Sequence, residues 1–322
     1  MDMRVRASQP AMGLWADAGW LWHAYGELYG TAVRVYPRST TKWFIKRGKF
    51  ISRSLYSLPV WSGWHRYLTA SPFAALIQAH PRVLEKPLRP YLHKRLSRAE
   101  RSRILRDHYT FMSRHAPDAL IQALFQDRAF AVLDTSLSGL AEPLCVCLTY
   151  SAHMQQEGEL TLTLQTRDEG RRIASVTFVV QRGDSGLQLM VGGMQGGRPG
   201  EGRASAKLAT KALYGMRPKF FLLHILRELA TAWGIAEIYA ISDRAHVLQR
   251  LRYRYRSVIR TSYDEVWTEA GGVPNADGYF RLPAAVTRRA LETVASHKRA
   301  QYQRRFRMLD DCAVELTQRL RR

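Results

Sequence analysis

Cysteine, acidic side chains and long apolar runs are what this sequence has least of. Its three cysteines, Cys145, Cys147 and Cys312, are too few and too unevenly spaced for a disulfide framework or a zinc site, which predicts a reducing compartment. Asp and Glu number 27 against 49 Lys and Arg, a formal net charge of +22. A surface biased in this way selects anionic partners: nucleic acid, acidic lipid headgroups or a small acidic protein such as acyl carrier protein. Behind Arg4 and Arg6 the apolar region is interrupted by Asp17 and His23, so it matches neither a signal peptide nor a membrane span. The expectation is a cytoplasmic protein, with peripheral contact on the inner membrane open to it. Zinc-finger spacing, an RNA-recognition aromatic motif and a helix-turn-helix are missing, which argues against nucleic acid.

What is present divides the chain into four stretches. Residues 1–66 form an aromatic, basic, amphipathic helical region. Leu14, Ala18, Leu21, Tyr25, Leu28, Ala32 and Val35 alternate spacings of four and three, which makes one apolar stripe, and Pro37 ends it. "TTKWFIKRGKFISRSL" then interleaves lysine and arginine with Trp43, Phe44 and Phe50. It fits a solvated basic turn beside a packed helix, and equally a patch that meets an anionic leaflet. Residues 67–143 are basic and helical, with a helix starting near Ser97. Residues 144–283 carry the sheet, and 284–322 a basic amphipathic C-terminal helix.

In the sheet region "LCVCLTY" (144–150), "ELTLTLQ" (159–165), "IASVTFVVQ" (173–181) and "LQLMVGG" (187–193) read as strands. Hairpin turns at "RDEGRR" and "RGDSG" make the run antiparallel. A glycine-crowded loop follows, then a helix carrying Lys207 and Lys211 with Ser205 as its N-cap, a buried helix over 219–233, a strand over 235–242 and a helix over 243–255. That order predicts an α/β (α+β) fold with a mixed sheet like that of the GCN5-related N-acetyltransferases. In that fold the loop and helix N-terminus hold the pyrophosphate of coenzyme A. Gln195, Gly196, Gly197, Arg203, Ser205, Lys207 and Lys211 are the corresponding candidates for binding the donor. The spacing after Gln195 departs from that superfamily's usual Gln/Arg-x-x-Gly-x-Gly/Ala pattern.

"GGMQG", "ATKALYGMRPK", "ISDRAHV", "YDEVW", "GGVPNADGYFRLP" and "ASHKRAQYQRRF", in this order, resemble the VirK/YbjX family of bacterial proteins over about residues 70–310. The resemblance implies a connection with the acetyltransferase-like fold, and a part in Gram-negative envelope homeostasis, virulence and resistance to cationic antimicrobial peptides. It brings no catalytic assignment.

N-acyl transfer needs a base for the attacking amine and a proton source for the leaving thiol. The first candidate pair is Asp243 and His246 in "SDRAHV", three apart at the carboxyl end of a strand, where a carboxylate-oriented imidazole makes a good base. The second set is His153, Glu157 and Glu159 in "HMQQEGE", with Glu159 opening a strand towards a cleft; its spacing is not that of a metal-binding helix, so no metal is expected. The third is Tyr263 in "YDEVW", a proton donor, with Trp267 beside an acyl pocket. Each set has a plainer reading: a capped helix, a polar hairpin edge, a packed core. The expected function is an acyltransferase taking its acyl group from acyl-CoA or acyl carrier protein, with no tightly bound cofactor. The alternative is a non-catalytic peripheral membrane protein.

Overall fold

The structure, a computed structural model, describes residues 26–134, 137, 143–150, 156–197, 202–249, 262–285 and 288–321. Helix α1 occupies residues 26–35 and stops before Pro37, as the sequence predicts. The basic, aromatic segment behind it is not a turn but a helix, α2 (Thr41–Tyr56), followed by α3 (Leu58–Thr69) and α4 (Ala74–Ala79). It has no internal Pro, and Phe50 and Ser54, four apart, go into the core on one side of it. A 3₁₀ segment (Pro81–Leu88) leads to α5 (Arg98–His115) and α6 (Asp118–Phe125). Ser97 starts α5 by a reciprocal capping box: its hydroxyl accepts from Glu100 N–H, and its own N–H donates to the Glu100 carboxylate.

The strands are β1 (Phe130–Leu133), β2 (Leu144–Tyr150), β3 (Leu160–Thr166), β4 (Arg172–Gly183), β5 (Gly186–Gly196), β6 (Glu237–Ile241), β7 (Val273–Pro274) and β8 (Tyr279–Leu282). They form one mixed eight-stranded sheet in the order β1-β2-β3-β4-β5-β6-β8-β7. Strands β1 to β5 are antiparallel neighbours, whereas β5 and β6 run parallel. A parallel pair requires a long crossover. Helices α7 (Gly202–Ala212) and α8 (Pro218–Ala232) supply it, α8 being buried along most of its length with Pro218 in its first turn. The antiparallel run, the two helices and the following strand stand in the order predicted from the sequence, in a mixed α/β fold. Helix α9 (Tyr263–Glu269) precedes β7, and α10 (Ser296–Leu320) closes the chain against α8 and β1.

Two departures shape the site. The "loop" glycines Gly192, Gly193 and Gly196 belong to β5, which runs to Gly196. Its pairing with β6 ends at Val191, while pairing with β4 continues to Gly196. Gly192 is the extra residue of a bulge opposite Thr177 and Phe178. Beyond Val191, β5 and β6 therefore part. In addition, the expected helix over 243–255 is replaced by two short 3₁₀ turns, Asp243–Ala245 and Val247–Gln249, and its remainder lies outside the described residues.

The apolar core runs unbroken from Leu28 through both the helical layers and the sheet to Leu320. Two of its buried indoles are tied to backbone carbonyls. Trp64 donates its indole N–H to Val83 O at 3.0 Å, and Trp267 to Ile241 O at 2.9 Å. Trp267 is fully buried, so it anchors α9 to β6 rather than lining an open pocket.

Candidate functional site

Where β5 leaves β6, three side chains fill the gap. His246 follows the first 3₁₀ turn and is fully buried; its Nε2 lies 3.0 Å from Gly192 O and 3.4 Å from Glu157 Oε1. Its Nδ1 accepts the Leu248 N–H at 3.3 Å. A ring whose Nδ1 accepts carries its proton on Nε2, so His246 donates towards Gly192 O and Glu157, and its lone pair is already used. Tyr263 packs edge-on against the His246 ring, with centroids 5.3 Å apart. Burial, the Glu157 charge next, holds the Tyr263 hydroxyl well above the ordinary phenol range, against a backbone hydrogen bond from Met194 that favours the phenolate.

Glu157 reaches this place because the turn before β3 lies across β5. A Cβ on Gly192 would run into the Glu157 backbone carbonyl, so glycine is required there, and one on Gly193 would meet the Glu157 carboxylate and displace it. Glu157 is 5% exposed; Oε1 faces His246, and Oε2 has no hydrogen-bond partner among the described residues. A buried, half-satisfied carboxylate beside a phenol that keeps its proton is an acceptor and a donor placed side by side.

The residues predicted from sequence are redistributed. Asp243 does not touch the His246 ring. Its carboxylate accepts from Tyr263 N–H (3.0 Å), Ser262 Oγ–H (3.0 Å) and Asp264 N–H (3.4 Å), and Asp264 Oδ1 accepts from Asp243 N–H in return (2.8 Å). The expected Asp–His pair fails because the chain forms a 3₁₀ turn there, which aims Asp243 at the start of α9. Glu159 does not face a cleft. It is fully buried, ion-paired with Lys86 Nζ at 2.6 Å and accepting from Tyr109 OH at 2.6 Å. Both residues precede β3, which starts at Leu160, so the period-two rule that would put them on one face of a strand does not hold there, and the turn sends Glu157 towards β5 and Glu159 towards Lys86. His153 lies outside the described residues.

Next to the gap is an open groove of about 530 Å³. Gly196 and Gly197 form part of its floor, Lys207 of α7 and Arg217 and Lys219 at the start of α8 its basic side, and Glu265, Val266 and Glu269 of α9 the opposite wall. Arg217 is paired with Glu269. Lys219, half-buried, has no carboxylate partner among the described residues, and burial, then Arg217, lowers its pKa. Gln195 stands half-buried beside it on β5, paired with Ser175. Lys211 is exposed and outside the groove. Ser205 is not the N-cap, since α7 begins at Gly202; its buried hydroxyl accepts from Arg171 at 3.1 Å. Arg203 is in the first turn of α7, and its side chain is outside the described set. Arg217 and Lys219 were missed because they precede and open a buried helix; their signal was the charge flanking Pro218.

A mixed sheet with one parallel pair, parting next to a glycine strand end and an open groove, defines an α/β protein with a cleft at the split. The chain belongs to the family described as "Protein of unknown function (DUF535)", which it matches over residues 39–318. It is 31% identical over 266 residues to the protein YbjX of Escherichia coli, covering 82% of this chain and 80% of that one. A Haemophilus influenzae protein is 30% identical over 232 residues, 72% of this chain and 75% of that one. Among solved structures, a mutant cAMP-binding acyltransferase from Mycobacterium smegmatis is 12% identical, with a TM-score of 0.28, covering 64% of this chain and 63% of that one. That likeness is too loose to bear on fold or activity. Among the described residues no helix is long and apolar enough to cross a membrane.

Proposed function

We propose that this chain is an acyltransferase that moves an acyl group from a thioester, on coenzyme A or acyl carrier protein, to an amine. The donor's phosphates lie in the groove against Lys207 and Lys219, with Gly196 and Gly197 admitting its backbone-hugging arm, and the thioester reaches the β5–β6 gap. There the amine nitrogen attacks the carbonyl carbon and gives up a proton to Glu157. As the C–S bond breaks, Tyr263 passes its proton to the leaving sulfur. His246, donating from Nε2, orients the Glu157 carboxylate, and Asp243 acts by holding the first turn of α9 and with it Tyr263. Glu157 is thus the base, and the Asp243 and His246 of the sequence motif are positioning residues.

One observation carries this reading: Lys219 is a half-buried cation without a carboxylate partner among the described residues, in a groove of ligand size beside a glycine strand end. The test is isothermal titration with coenzyme A and a long-chain acyl-CoA, repeated with Lys207→Ala/Lys219→Ala. Saturable binding that weakens about tenfold or more in the variant is expected, from the loss of two charge-assisted contacts. Absence of binding to either ligand and to acyl carrier protein would end the proposal.

A further inference from the structure

We infer that the outward face of α2 is a docking surface for an anionic lipid membrane. Of the eight large hydrophobic side chains exposed among the described residues, five lie between Tyr29 and Tyr56: Tyr29, Phe44, Ile45, Leu55 and Tyr56. Four of them are on α2 and share its solvent side. Phe44, Gly48, Ser52 and Leu55 follow one line at helical spacing, and Ile45, Lys49, Ser52 and Tyr56 the next. Phe44, Ile45 and Leu55 are each more than half exposed and Tyr56 is 81% exposed, so this helix buries one face in the core and presents a second apolar face to solvent.

Charge identifies the occupant. Lys42 and Lys49 are exposed along one flank of the apolar strip, and the Arg98 guanidinium sits 4.7 Å over the Tyr56 ring at its end. From residue 28 to residue 84 the chain carries nine Lys/Arg and no Asp or Glu. An apolar strip lined by lysines, on a helix that itself carries no Asp or Glu, is the pattern of a helix lying in a membrane interface, apolar side chains at the acyl boundary and ammonium groups among phosphates. A second copy of the chain, packed through the same helix, would set two lysine-lined faces of α2 together with no carboxylate from either helix. Residues 1–25 would bring Asp2 and Asp17 with Arg4 and Arg6, no anionic complement. A membrane supplies both the apolar phase and the negative charge.

The test is co-sedimentation of the full chain with vesicles of phosphatidylglycerol in phosphatidylcholine, against phosphatidylcholine alone. Binding only to the anionic vesicles is expected. Lys42→Gln/Lys49→Gln should weaken it by about 30-fold, roughly fivefold per lysine, and Phe44→Ser/Leu55→Ser should weaken it comparably while leaving thermal unfolding unchanged, since neither side chain is in the core. Lys298→Gln/Arg307→Gln, on exposed positions of α10, should have little effect. Equal losses in the α10 and α2 variants would overturn the inference, because the attraction would then be diffuse charge. Vesicle binding that appears only after residues 1–25 are removed would also overturn it, as would a concentration-dependent dimer abolished by Phe44→Ser/Leu55→Ser. These readouts are independent of coenzyme A binding, so either proposal can fail alone.

Discussion

Removing one half of the buried Lys86–Glu159 pair should expose what it contributes. The ammonium and carboxylate are 2.6 Å apart, at 3% and 1% exposure. At an effective dielectric near 20 their attraction is about 6 kcal/mol, set against a desolvation cost of several kcal/mol per ion. The net stabilisation is thus small, but the cost of leaving one ion alone is large. Lys86→Met should destabilise by about 3–5 kcal/mol, because Glu159 then keeps only the phenolic contacts around it. Glu159→Gln retains the shape and an acceptor for Tyr109 OH, yet strands Lys86 beside the Tyr150 ring, where its ammonium lies 4.7 Å from the centroid. It should cost a comparable amount. The double variant should cost at least about 2 kcal/mol less than the sum of the two, the signature of groups in direct contact. Urea unfolding of the four proteins, fitted with a shared m-value, measures this cycle. Additive losses would refute the pairing, and a Glu159→Gln variant of native stability would show that the carboxylate is not committed to the core.

His108 and His224 are buried, and burial lowers their pKa values to about 3 and about 4. The unfolded chain takes these protons near pH 6.5, so the stability they carry is full above that pH and drains as pH falls towards 4 and 3, at about 1.4 kcal/mol per pH unit per histidine. His108→Asn can still accept from Val180 N–H and should flatten the acid limb of a Tm-against-pH curve; an unchanged limb would contradict it. Gly193→Ala should cost about 1–3 kcal/mol by driving the Glu157 carboxylate aside, whereas Gly196→Ala, with open space at its Cβ, should leave Tm nearly unchanged. Asp243→Ala should lose about 1–2 kcal/mol as the Tyr263 and Asp264 N–H groups in the first turn of α9 lose their acceptor, with Asp243→Asn losing less; equal melting of all three proteins would remove Asp243 from its positioning role.

The sequence by itself determined the elements whose signal is local. Alternation in "LCVCLTY" places β2 at Leu144–Tyr150, Ser97 with Glu100 marks the start of α5, and Pro218 opens α8. The order of strands and helices was legible too, since turns and a crossover constrain it. What only the tertiary structure decided is which groups meet. Glu157 and Glu159 are two residues apart and chemically alike, yet one faces Gly193 and His246 while the other is sealed against Lys86, 73 positions away. Asp243 and His246 sit in one motif, but the carboxylate belongs to a helix start twenty residues on. The second apolar face of α2 was likewise hidden, because a pattern of aromatic and basic residues does not say which aromatics the core takes. Spacing reports which side of an element a residue occupies; the opposing surface, which sets burial, partner and charge, comes from distant parts of the chain.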